Sequence, residues 1–248
     1  MDKNELESNY KNEDFYWWFM GRRKIISTLV KHYLVAGKNY KFLDAGCGTG
    51  IILKDLSSFG QTVGIDVSVE ALNLCKKRGI NNLVQGDISL SLPFKDGSFD
   101  YVVILGVLYS KSIRNEANVL GELFRVTKLG GLIVLSEGAF KILMSRHNER
   151  VGAVRRYYKD EMKAMVERAG FKILKISYWN MLLFPLFLLA KVFDAFMPSH
   201  SRGLADMELP LPGFINSIFS FILYLEASML KFTNLPFGTS IVTVGIKA

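Results

Sequence analysis

The chain has 248 residues, 50% of them hydrophobic and 22% charged, enough for one large α/β domain with a full core and too apolar for a disordered protein. Its formal net charge is +8, yet from residue 179 onward basic and acidic side chains balance four against four, so the whole surplus lies in residues 1–178. The acidic, polar N-terminus has no basic stretch followed by an apolar run, which argues against a secretory signal. The two cysteines, Cys47 and Cys75, lack metal-site spacing and suit a reducing, cytoplasmic setting.

The aromatic run Phe15, Tyr16, Trp17, Trp18, Phe19 precedes residues 22–36, whose apolar positions recur at helical spacing up to Gly37. "KFLDAG" is a short apolar run entering a glycine-rich turn, as a buried parallel strand does. A helix through "TGIILKDLSSF" is expected to end at Gly60. It is followed by a strand "TVGIDV" and a helix "SVEALNLCKKRG" with Ser68 as N-cap. "NLVQGD" and "FDYVVILG" read as strands, "NEANVLGELFRVTKLGG" as an amphipathic helix with a glycine stop, and "LIVLSEG" as a strand. "YKDEMKAMVERAGF" is a helix and "KILKISYW" a strand, while the terminal "SIVTVGIKA" alternates like a half-exposed strand. Strands alternating with helices predict an α/β doubly wound sheet, largely parallel, with right-handed crossovers.

Between the last two strands lie "WNMLLFPLFLLAKVF" and "PGFINSIFSFILYLEASMLKF", joined by a polar linker. Pro185 interrupts the first run, which is short for the roughly 20 residues of a membrane span. Asn216, Ser217, Ser220 and Glu226 occupy the second. Residues 181–238 are therefore expected to form an apolar helical insert that covers the acceptor side, touches a membrane surface or pairs with a second copy.

The chemistry is written in the loops. "LDAGCGTG" sets Gly46, Gly48 and Gly50 directly after the first strand and before a helix, so backbone can approach a ligand closely. Asp44 would repel a pyrophosphate and suits a cationic group, and Ile51 departs from the dinucleotide fingerprint. Asp66 ends the second strand, where an acid accepts both hydroxyls of a ribose. Asp87 follows the third strand and can accept an adenine amine, with Val67 and Ile88 beside the base.

"FLDAGCGTG", "GIDVS", "GDISLSLPFKDGSFDYVVILGVLYS" and "LFRVTKLGGLIVLSEG" resemble successive motifs of class I S-adenosylmethionine-dependent methyltransferases of type 11. The resemblance covers roughly residues 40–178. It implies a Rossmann-like sheet of seven strands whose last strand is antiparallel and inserted beside the fifth. It also implies a cofactor set of Asp44, Ala45, Gly46, Cys47, Gly48, Gly50, Asp66, Val67, Asp87, Ile88 and Leu105, leaving S-adenosylhomocysteine as product, and makes Asp100 structural. No metal is expected. "FYWWFMGRR" resembles an upstream segment that caps cofactor and substrate in such enzymes, so residues 1–36 are expected to be a helical lid carrying Trp18 and Arg22.

The catalytic domain is thus expected over 37–180 and 239–248. Proton removal from a hydroxyl acceptor calls for a base near the ends of the fourth and fifth strands. His147 is the first candidate, with Glu137 and Tyr109 behind it. Tyr109, Arg150, Arg155 and Arg156 are candidates for holding an acceptor, the arginines through phosphate or carboxylate. "HNERVGAVRRY" resembles a segment bordering the acceptor pocket in methyltransferases that accompany glycan- or lipid-processing enzymes. O-methylation of a lipid-linked, amphiphilic or hydrophobic acceptor is the leading expectation. N-methylation of a phospholipid head group or amine, and cofactor binding without catalysis, are the alternatives. The expected setting is cytoplasmic or peripheral at the inner membrane face, and no nucleic-acid partner is expected.

Overall fold

A computed structural model describes residues 3–145, 152–195 and 211–248, with backbone only for 193–195. The chain runs α1 (Lys3–Asn12), α2 (Trp17–Tyr33), β1 (Tyr40–Ala45), α3 (Ile51–Leu56), β2 (Gly60–Asp66), α4 (Val69–Lys77) and β3 (Leu83–Gln85). It continues through β4 (Phe99–Leu105), α5 (Glu116–Val126), β5 (Thr127–Gly138), α6 (Lys159–Arg168), β6 (Phe171–Trp179), α7 (Phe184–Ala195), α8 (Gly213–Met229) and β7 (Ser240–Lys247). One seven-stranded sheet has the order β3-β2-β1-β4-β5-β7-β6. β7 runs antiparallel to both β5 and β6, and the other pairings are parallel, as expected.

Period-2 alternation sends neighbouring residues into two separate cores. Phe42, Tyr101, Val103, Val134 and Val244 face α2, α3 and α8. Leu43, Val102, Ile104, Ile133 and Ile241 face α5 and α6. Because β7 lies between two strands, six of its residues are buried in succession, Ser240 to Gly245, contrary to the half-exposed strand expected from its alternation.

Three glycine or proline signals mean something else in three dimensions. Gly60 opens β2 and does not stop α3, which ends at Leu56; a Cβ on Gly60 would stand 2.0 Å from the Tyr40 carbonyl oxygen of the neighbouring strand. "TKLGG" belongs to β5, and α5 ends at Val126. Pro185 is the second residue of α7, in the first turn, where its missing N–H costs no intrahelical bond. Ser68 caps α4 as expected, accepting the Ala71 N–H at 3.2 Å.

The insert folds back as part of the core. Glu226 of α8 is fully buried, and its carboxylate accepts the N–H groups of Asn180 at 2.6 Å and Leu182 at 2.7 Å, tying α8 to the turn before α7. Asn216 accepts the Trp17 N–H at 2.8 Å and donates to the Phe15 carbonyl at 2.7 Å. It thereby supplies the N-terminal cap that α2 lacks locally. Trp17 meets Phe219 edge-on at 5.3 Å.

α2 and α8 touch so closely at Gly21 that a Cβ there would stand 2.0 Å from Leu223 Cδ1. Gly21→Ala gains roughly 1 kcal/mol of helix propensity but overpacks a contact worth roughly 1–3 kcal/mol. The melting temperature is expected to fall by about 2 °C or more, whereas Gly121→Ala, exposed on α5 with nothing within 4 Å, should raise it. Calorimetry of the two variants checks the contrast; a Gly21→Ala protein as stable as Gly121→Ala would contradict the packing.

Candidate active site

β1 carries a buried carboxylate, Asp44, to the C-terminal edge of the sheet, and the chain then turns through Gly46 (φ +78°), Gly48 (φ +53°) and Gly50 (φ +80°). These left-handed conformations suit glycine, and the space around them differs. A Cβ on Gly46 would stand 2.6 Å from Val107 Cγ2, and one on Gly50 2.8 Å from Cys75 Sγ; Gly48 has nothing within 4 Å. The turn is therefore packed at its ends and open at its middle. Gly46 and Cys47 donate to the Ile65 carbonyl at 2.8 and 3.1 Å, Cys75 Sγ donates to the Gly48 carbonyl at 3.1 Å, and Ala45 is fully buried beneath.

Asp66 braces the same turn. Its Oδ2 accepts the Gly48 N–H at 2.9 Å and its Oδ1 the Ser68 N–H at 2.9 Å, leaving further lone pairs on both oxygens. Asp87, exposed after β3, accepts both the N–H and the hydroxyl of Ser89 on Oδ1, while Oδ2 takes no hydrogen bond from the described residues. Ile88 is buried, Val67 is exposed, and Leu105 is nearly buried at the end of β4. Asp100, at the opposite end of β4, accepts the Lys41 N–H and Lys128 Nζ, each at 2.9 Å, a structural role.

Asp44 takes no described hydrogen bond. Burial pushes its carboxyl up to about 7, reinforced by Asp66 and Glu13 and opposed by the Arg22 guanidinium. Arg22 comes from α2 and lies over the end of β4; a Cβ on Gly106 would stand 3.7 Å from Arg22 Nη1 and 3.4 Å from Tyr109 Cε1. The guanidinium stacks over Trp18 at 4.7 Å, and its Nε is buried without a partner. Burial lowers its pKa against the pull of Glu13, Tyr109, Asp44 and Glu137.

Glu137 ends β5 and is 2% exposed. Its Oε1 accepts the N–H groups of Val107 and Leu108, both at 2.8 Å, while its Oε2 is buried without a partner. Burial raises this carboxyl to about 7, despite the backbone donors and Arg22. Asp44, Glu137 and Tyr109 thus gather around Arg22 at the ends of β1, β4 and β5, with the Trp18 ring against the Arg22 guanidinium.

Of the expected acceptor residues, His147 and Arg150 lie outside the described residues. Arg155 pairs with Glu116 at 3.0 Å and donates to the Ser110 carbonyl at 2.8 Å. Arg156 donates to the Ala139 carbonyl at 2.8 Å, and burial pushes its guanidinium down to about 10. Both arginines therefore brace the segment after residue 152 against the loop following β4 and the end of β5. The phosphate grip expected from their sequence setting has these internal partners to compete with.

A network absent from the sequence reading fastens the N-terminal segment. Glu13, 5% exposed, accepts from the Thr49 hydroxyl and from Arg78 Nη2 at 2.9 Å, across 36 and 65 residues of chain. Arg78 also donates to the carbonyls of Thr49 and Tyr10, at 3.0 and 3.1 Å. Leu6 of α1 packs on Ala71 and Leu74 of α4. A lone Glu and a lone Arg at such separation leave no local signal.

A family model described as a methyltransferase domain matches residues 43–135. A demethylmenaquinone methyltransferase of Staphylococcus haemolyticus is 31% identical, over 55% of this chain and 70% of its own length. An uncharacterised protein of Methanocaldococcus jannaschii is 29% identical over 66% of this chain and 80% of its own. A chain from the complex of the Haloferax volcanii Trm112 methyltransferase activator with a methyltransferase superposes with a TM-score of 0.65 at 17% identity, covering 98% of this chain and 94% of that one. A methyltransferase of Archaeoglobus fulgidus gives 0.58 at 14% identity, covering 91% and 94%. With the strand order, the glycine turn and the acids at the ends of β1 and β2 already in place, the matched relatives decide the matter: this chain belongs to the type 11 family of class I S-adenosylmethionine-dependent methyltransferases.

Proposed function

We propose that the enzyme methylates an oxygen of an amphiphilic or hydrophobic acceptor and that Glu137 receives the proton. S-adenosylmethionine supplies an activated methyl group on its sulfonium, so the chain's own work is positioning and proton removal. In this reading Asp44 holds the cofactor's ammonium, the open backbone at Gly48 lies along it, Asp66 takes the ribose hydroxyls, and Asp87 Oδ2 and Ile88 take the adenine. Leu105 packs beside it, and Arg22 meets a carboxylate.

The observation that carries the acid–base assignment is the unpartnered, buried Oε2 of Glu137 beside Arg22 and Tyr109. With a carboxyl near 7, Glu137 is poised to change protonation at working pH. The name of the Staphylococcus relatives supports a greasy acceptor, as does the apolar surface of α7 and α8. A screen for a one-methyl mass gain across polar lipids, lipid-linked sugars and small metabolites identifies the acceptor.

With it, Glu137→Gln, which keeps an acceptor for the Val107 and Leu108 N–H groups, is expected to lower kcat by about a hundredfold or more with little change in KM. The limb of the pH profile near 7 should vanish with it. Full turnover by this variant would remove Glu137 as base. It would favour the second reading, transfer to a free amine, which needs no strong base.

A further inference from the structure

The outer face of α8 is as apolar as the inner one. Leu223 and Ala227 are buried on the inside against α2. Phe214, Ile218, Phe221, Leu225 and Met229 stand exposed on the outside at helical spacing, Phe214 by 68% and Phe221 by 61%. The stripe continues past the helix to Phe232, 85% exposed, and at its other end to exposed Phe15, whose carbonyl Asn216 of α8 holds. Leu182, Leu186, Leu189 and Val192, in and before α7, are exposed as well. No described residue covers this face, and single exposed apolar residues do not add up to such a row by chance.

The exposed charges beside α8 are cations, and Asp14, next to Phe15, is already paired with Arg23 at 3.3 Å and Arg78 at 3.1 Å. Lys24 Nζ lies 5.5 Å from the Tyr224 ring and Lys231 Nζ 5.7 Å from the Phe232 ring, placing two ammonium groups at its margins. Between residues 211 and 248 the sole carboxylate side chain is Glu226, which is fully buried on backbone N–H groups. An isologous contact with a second copy would bring the same patch against itself, with cations and no exposed carboxylate from α8 to pair them. Phosphate head groups above a hydrocarbon layer match both features at once: aromatic and aliphatic side chains enter the boundary while lysines reach the phosphates.

We infer that the exposed stripe of α8, from Phe15 to Phe232 and flanked by Lys24 and Lys231, docks the enzyme on an anionic lipid surface. The helix lies along that surface and does not cross it; among the described residues no helix is long and apolar enough to span a membrane. Since Asn216 joins the stripe to the turn between α1 and α2, docking brings the capping segment of the active site to the lipid boundary. The inference does not rest on the acceptor reading, because binding to vesicles and binding of S-adenosylmethionine are measured separately.

The test is flotation of the full chain with vesicles of equal parts phosphatidylglycerol and phosphatidylcholine, and with phosphatidylcholine alone. Binding to the anionic vesicles is expected to be at least about tenfold stronger than to the neutral ones and to weaken at high salt. Phe221→Ser with Leu225→Ser should lose at least about tenfold of it while keeping the melting temperature and the affinity for S-adenosylmethionine. Lys24→Glu with Lys231→Glu should remove the preference for anionic vesicles.

Absence of vesicle binding, or vesicle binding unaltered by the double serine variant, overturns the proposal. So does a dimer by light scattering that the serine variant dissociates without any vesicle binding, which assigns the face to a second copy.

Discussion

Asp66→Ala is expected to weaken S-adenosylmethionine binding by at least about a hundredfold, read by calorimetric titration. Two charge-assisted hydrogen bonds to ribose hydroxyls contribute roughly 1.5–3 kcal/mol each, and their joint loss already accounts for that factor. The variant also releases the Gly48 and Ser68 N–H groups, which Asp66 holds at 2.9 Å each, so the open middle of the glycine turn loses its brace. Asp66→Asn retains one carbonyl acceptor and should fall between the two. A melting curve separates loss of the site from loss of the fold. Affinity of the alanine variant within a few-fold of the parent would sink the ribose assignment.

Binding of the same cofactor is expected to release about one proton near pH 6 and none near pH 8. Asp44 is buried without a described hydrogen bond and titrates at about 7 instead of 3.8. An ammonium group beside it favours the carboxylate, so below 7 the proton must leave as the cofactor arrives. Affinity should then rise roughly tenfold per pH unit up to 7 and level off above it.

The sign for stability without cofactor is the opposite. Because folding raises the pKa of Asp44, and likewise that of Glu137 from 4.5 to about 7, the folded chain binds these protons more tightly than the unfolded one. Their favourable contribution is complete below about pH 4 and is lost as pH rises to 7. Titration at pH 6 in buffers of different ionisation heat counts the protons, and Asp44→Asn should release none. Heats independent of buffer, with flat affinity from pH 6 to 8, would remove Asp44 from the cofactor's ammonium.

The elements that local pattern decides were legible: the glycine turn after "FLDAG", Ser68 as a cap, and strands whose apolar runs allow nothing else. The placement of Asp44, Asp66 and Asp87 at one edge of the sheet was legible because Asp44 and Asp66 lie at the ends of β1 and β2 and Asp87 follows β3. Punctuation by glycine and proline was less reliable. Gly60 answers to the backbone of Tyr40 across the sheet, and Pro185 to its position in the first turn of α7; neither partner is visible in the neighbouring residues. The segment "HNERVGAVRRY" drew attention by its charge, but Arg155 and Arg156 are held by carbonyls and by Glu116, contacts that depend on how the loops meet.

By itself the sequence determined the alternation of strands and helices, through short-range periodicity, and its loop motifs carried the resemblance that implied the seven-stranded sheet and the family. Only the tertiary structure decided that "NMLLFPLFLLAKVF" and its companion are not one insert of uniform role. α8 is built into the core through Glu226, Asn216 and the Gly21–Leu223 contact, yet keeps a second apolar face outward. It likewise decided that Arg22 and Glu137, 115 positions apart in the numbering, share one buried cluster. A hydrophobic run states how much apolar surface must leave water; which side it meets is set by elements distant in the chain.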